Sequence, residues 1–98
     1  MKATIYGSTY KRAFDKFEEI IENYKSMRIN PIRIVRSKSH AWVEFENGDC
    51  WRVARVSENC RGNRNNIAYV DHLISQEAVD VIIKPQLTLR PFTAIHYY

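Results

Sequence analysis

Two pairs of side chains in this chain have types suited to chemistry. Cys60 and His72 are a thiol and an imidazole, and in contact they would make a nucleophile and its base. Asp71 and Glu58 are two carboxylates, and together they could share a divalent cation. Neither pair is adjacent in sequence, so each depends wholly on the fold. Cys50 and Cys60 stand ten apart, and His40, His72 and His96 are scattered, without the close pairs of a zinc site. The cysteines are read as reduced thiols. The chain has only three glycines, Gly7, Gly48 and Gly62, and no phosphate-loop, dinucleotide, nucleophile-elbow or zinc-protease motif. The expectation is a protein that is not an enzyme, with no cofactor and no metal.

Recognition chemistry is better supplied. Between Arg28 and Arg64 lie eight bases (Arg28, Arg33, Arg36, Lys38, Arg52, Arg55, Arg61, Arg64) and four acids (Glu44, Glu46, Asp49, Glu58), a net of +4. The rest of the chain carries seven bases and seven acids, so the whole excess of +4 sits in one segment. Arginine presents a planar fork to phosphate or carboxylate. An anionic partner is therefore expected, either nucleic acid or a host or phage protein with an acidic or nucleic-acid-binding surface. Trp42 and Trp51 lie in the same segment, and tryptophan beside arginine is common at binding surfaces. The candidate binding residues are Arg33, Arg36, Lys38, Trp42, Trp51, Arg52, Arg55, Arg61 and Arg64.

The elements that must position them follow from periodicity. Residues 2–6 read as a short strand, broken by Gly7, with Ser8 or Thr9 as a helix N-cap. From Tyr10 to Met27 the apolar positions Tyr10, Ala13, Phe14, Phe17, Ile20, Ile21, Tyr24 and Met27 step by three and one, the pattern of an amphipathic helix. Asn30-Pro31 ends it, and 32–36 is a β-branched strand. Strands 40–46 and 49–56 flank Asn47-Gly48, a two-residue hairpin turn in which both residues take positive φ. That turn sets Phe45 opposite Cys50 and Val43 opposite Arg52. One face then holds Ala41, Val43, Phe45, Cys50, Arg52, Ala54 and Val56, and the other holds His40, Trp42, Glu44, Trp51, Val53 and Arg55. The first is the core candidate, and Arg52 on it needs an acid or the sheet margin. Residues 57–66 form a polar loop whose Arg61-Gly62-x-Arg64 suits an anion. Residues 67–70 form a buried strand ending at Asp71, Ser75 caps a helix from Gln76 to Lys84 facing in with Ala78, Val79, Ile82 and Ile83, and 92–98 is a last strand or ordered tail.

At 98 residues the chain is expected to be one small domain. No apolar run reaches the roughly 20 residues that span a bilayer, and Met1 to Tyr6 lacks the apolar core of a signal peptide. A complete protein in the cytoplasm of a bacterial host is expected, with no membrane association. The fold class is α+β, a mixed sheet with a long antiparallel hairpin and two helices. The alternative is a truncated three-layer α/β arrangement of P-loop type, with strands 2–6 and 67–70 parallel at its centre. A strand edge at 32–36, or Phe92 to Tyr98, could pair with a second copy as a homodimer.

The order of hairpin (Phe45-Glu46-Asn47-Gly48-Asp49), Arg61-Gly62 loop, and apolar strand Ile67-Ala68-Tyr69-Val70-Asp71 resembles the ATPase domain of phage terminase large subunits, from Ala3 to about Leu87. In that family the hairpin, an RG loop and a Walker B strand follow in this order. The resemblance implies that Asp71 takes the place of a magnesium-facing acid. The phosphate loop before Ala3 is missing, His72 stands where the family has a catalytic glutamate, and there is no nuclease domain. Without the phosphate cradle a triphosphate cannot be held by that mechanism. What the resemblance implies is a phage or prophage accessory protein that acts by binding, with Asp71 as a structural acid. The rivals are an inhibitor of a host defence nuclease, of anti-CRISPR type, and a degenerate nucleotide hydrolase.

Overall fold

The computed structural model describes residues 1–38, 40–55, 67–83 and 95–98. β1 (Lys2–Gly7) is buried from Ala3 onward, on both faces, and lies in the middle of a six-stranded sheet. A strand covered on both sides reads as a continuous apolar run rather than an alternation, which is what Ala3-Thr4-Ile5-Tyr6 is. The sheet order is β2-β3-β4-β1-β5-β6, with β2 (Pro31–Arg36), β3 (Ala41–Phe45), β4 (Cys50–Arg55), β5 (Ile67–Val70) and β6 (Ile95–Tyr97). β2, β3 and β4 form an antiparallel meander, whereas β1 runs parallel to β4 and β5, and β5 parallel to β6. The fold is α+β with a mixed sheet. The parallel pairing of β1 with β5 is a feature of the alternative reading, placed here inside the mixed sheet.

α1 (Tyr10–Ser26) lies across one face. Thr9 is its N-cap, and its hydroxyl accepts from the Arg12 N–H at 3.3 Å. At its other end Arg28 turns left-handed, with φ 61°, and the Arg28 and Ile29 N–H groups bond back to Lys25 and Tyr24. This is the closing motif usually given to glycine. Ala13, Phe17, Ile20, Ile21 and Tyr24 of α1 pack on Ala3, Ile5, Val43, Phe45 and Trp51. The opposite face has a smaller core, in which Val79 and Ile83 cover Tyr6, Ala68 and Val70. The second helix is short. α2 (Gln76–Ala78), capped by Ser75, continues as a π-helical turn, Val79–Ile83.

The hairpin departs from its expected register. Trp42 faces Arg52, Val43 faces Trp51, and Glu44 faces Cys50, one residue away from the two-residue-turn alignment. The loop is three residues, Glu46-Asn47-Gly48, and only Gly48 has positive φ, at 93°. Gly48 N–H bonds to the Phe45 carbonyl at 3.0 Å, and Phe45 N–H bonds to the Asp49 carbonyl at 2.8 Å. This is a β-turn followed by a left-handed glycine. A one-residue slip turns every side chain of β4 over. The reason is burial. The expected register would face Arg52 into the core and Trp51 away from α1. The observed one buries the Trp51 indole, worth about 5 kcal/mol at some 200 Å² of apolar area, and frees Arg52 from the low-dielectric interior. Hydrophobic area and charge solvation together outweigh the local preference of Asn-Gly for a tighter turn.

Candidate nucleic-acid interface

The first cluster of polar residues lies where β1 and β5 end. Asp71 is fully buried. Its Oδ2 accepts from Ser8 N–H at 3.0 Å, Ser8 Oγ at 2.6 Å and Arg12 Nε at 2.6 Å. Its Oδ1 accepts from Arg12 Nη2 at 3.0 Å and Leu73 N–H at 3.0 Å. Burial pushes the carboxyl pKa up, but the Arg12 guanidinium, Ser8 and Leu73 outweigh it and hold the group well below the usual carboxylate range. Burial first, and then the Asp71 charge, raise the Tyr98 phenol, whose O–H donates to the Tyr6 carbonyl at 2.8 Å. Five donated hydrogen bonds, two of them from the cationic Arg12 guanidinium, leave Asp71 little capacity to receive a metal ion. Among the described residues no group of three metal-ligating side chains exists. Asp71 acts as a clamp joining the β1–α1 turn to the end of β5. Glu58 and Cys60, the other halves of the two chemical pairs, lie outside the described residues.

The second cluster is on the sheet face turned away from α1. Arg33, Trp42 and Arg52 come together there from three neighbouring strands. Arg33 is two residues along β2 from Val35, the partner of Trp42, and its guanidinium lies over the Trp42 ring, 5.7 Å from the centroid. Arg52 is directly opposite Trp42 on β4. Arg33 and Arg52 are exposed, and Trp42 is half-buried. β1 adds a residue that sequence reasoning missed. The parallel pairing of Lys2 with Cys50 puts the exposed Lys2 on the same face. That pairing joins residues 48 apart, and no local pattern announces it. Glu44 is the acid among them, so the patch is net positive.

Other candidates separate from this group. Trp51 is buried, 5% exposed, and its Nε1–H donates to Tyr24 Oη at 2.9 Å. It is a core residue, not a stacking surface. Burial, with the bond that Tyr24 donates to Asp49 at 2.7 Å, pushes the Tyr24 phenol up to about 12. Arg36 is on the α1 side of the sheet, bound to Glu18 through Nε at 2.6 Å and Nη2 at 3.2 Å, and this bond raises its pKa. Lys38 is exposed beyond the end of β2. Arg61 and Arg64, and the side chain of Arg55, lie outside the described residues. Among the described residues no helix is long and apolar enough to cross a membrane.

Three strands of the meander and the first strand thus gather Arg33, Trp42, Arg52 and Lys2 on one face. Comparison of the chain with protein-family models, curated proteins and solved structures gives no match.

Proposed function

We propose that the protein is a non-catalytic binding protein of phage-accessory type that holds single-stranded nucleic acid on the face of β2, β3 and β4 turned away from α1, with Lys2 at its margin. The observation that carries this reading is Trp42, a half-buried indole with Arg33 over its ring and Arg52 directly across from it. Single strands are bound by bases stacking on aromatic rings while cations track the phosphates. Neighbouring strands are about 4.8 Å apart, so β2 to β4 spans about 10 Å, and the exposed Lys2 at the start of β1 extends it. Duplex bases are already stacked and would leave Trp42 unused. A cytoplasmic site of action in a bacterial host fits such a ligand. If the terminase resemblance is kinship, Arg12 has taken the position of the cation that faces the strand-ending acid, and Asp71 has become structural.

The test is a fluorescence titration with short single-stranded and duplex oligonucleotides at several salt concentrations. Trp51 is shielded, so Trp42 reports. Single strands are expected to bind at micromolar concentration, with a log–log salt slope of about −2 for three phosphate contacts. Arg52→Ala should flatten that slope by about 0.7, and Trp42→Ala should weaken binding about tenfold or more. Absence of binding at low salt would overturn the reading and send the search to a protein partner. Equal binding of duplex would overturn the single-strand assignment.

A further inference from the structure

Glu44 is out of place on a face built for phosphate. It is half-buried on β3, two residues along from Trp42 on the same side. Its cross-strand neighbour is Arg33. Opposite charges facing each other across a sheet normally pair. Here the Arg33 guanidinium is over the Trp42 ring, and the Glu44 carboxylate makes no hydrogen bond or ion pair with any described residue. A half-buried carboxylate with open lone pairs beside a stacking ring is a ready acceptor for N–H groups. In a nucleic-acid site it repels phosphate, so its contribution must come from a base.

We propose that Glu44 is the base-selecting residue of this site, and that it favours bases with an exocyclic amine, cytosine above all, over thymine or uracil. This rests on the nucleic-acid reading above. Carboxylates accept from the cytosine N4 amine, and thymine presents a carbonyl oxygen at the equivalent position. A base stacked on Trp42 has its edge directed along β3 or across to a neighbouring strand, and Glu44 is the acceptor in the first of these directions. A cytosine would satisfy it, whereas a thymine would set O4 against the carboxylate, two acceptors with no proton between them. Such a mismatch leaves a polar group unpaired and so discriminates strongly.

The experiment measures the affinity of deoxycytidine and deoxythymidine ten-mers by fluorescence anisotropy at pH 7.5, for the full chain and for Glu44→Gln. The wild type is expected to prefer the cytidine oligomer about tenfold. In Glu44→Gln the amide offers both a donor and an acceptor. The preference should then shrink to about twofold or less, and binding of the thymidine oligomer should tighten because a negative charge has gone. Glu44→Ala, with circular dichroism to check the fold, should show the same loss of preference. Equal affinity of the two oligomers for the wild type, or a preference unchanged in both variants, would overturn the proposal while leaving single-strand binding intact. Failure to bind either oligomer would overturn both.

Discussion

Asp71 shows how a single residue type is reassigned by its surroundings. An acid at the end of a parallel strand is a natural metal ligand, yet five hydrogen bonds from Ser8, Arg12 and Leu73 make it a structural anchor. Its folded pKa is depressed relative to the ordinary value of about 4. The ionised clamp therefore stabilises the fold above about pH 4, and that stabilisation is lost as the pH falls below this toward the depressed folded value. Asp71→Asn is expected to cost about 2–3 kcal/mol at pH 7, and the gap from wild type should narrow at pH 3. Urea unfolding at both pH values checks this, and an equal gap would show that the charge is not what matters. The sequence marked Asp71 as notable but did not reveal its partner. Arg12 is 59 positions away, and only the adjacency of β1 and β5 brings the two together.

At the level of elements, legibility followed locality. α1 was readable because its apolar steps of three and one are internal to the helix, and its five buried residues are all on the expected stripe. The short strand at Ile67–Val70 was readable from apolar residues between polar segments. The hairpin's existence was readable, but its register was not. Asn-Gly describes only the turn, and the choice between Trp51 and Arg52 as the buried residue is made by α1, whose Tyr24 accepts from the Trp51 indole and stacks on Phe45 of β3 at 3.9 Å between rings. The shift moved Trp51 from the expected binding face into the core, left Trp42 outside it, and so removed one expected binding residue. A second local feature is Gly7, at the β1–α1 turn. A Cβ there would meet the Thr9 carbonyl oxygen and would lie 2.7 Å from the Ala13 Cβ. Backbone and helix cannot yield together. Gly7→Ala should destabilise by about 3 kcal/mol, seen as a lower thermal midpoint, and wild-type stability in that variant would mean that the turn is looser than this packing requires.

For the whole molecule, the two sides of the sheet carry different residues. α1 and its salt bridges occupy one, and Arg33, Trp42, Arg52 and Lys2 are on the other. The basic excess visible in the sequence is thus divided by strand alternation, and composition alone could not make that division. The sidedness predicts opposite behaviour for two cations. Arg36→Ala should lower stability by about 1 kcal/mol, the value of a partly exposed ion pair, and leave oligonucleotide affinity within about twofold. Lys2→Ala should reduce the salt slope by about 0.7. Thermal melts and titrations on both variants decide this, and a loss of affinity in Arg36→Ala would show that the ligand is not confined to one face.

The central position of β1 has a consequence for how the chain is made. β1 precedes both of its neighbours, its partner residues beginning at Cys50 on one side and Ile67 on the other. Synthesis proceeds at about 5–20 residues per second, so β1 waits for seconds with both edges bare, while α1 and the β2–β4 meander form from local contacts. The central strand is thus made before either of the strands that flank it. Over that interval its Ala-Thr-Ile-Tyr run is the part of the nascent chain most open to a chaperone or to a wrong strand.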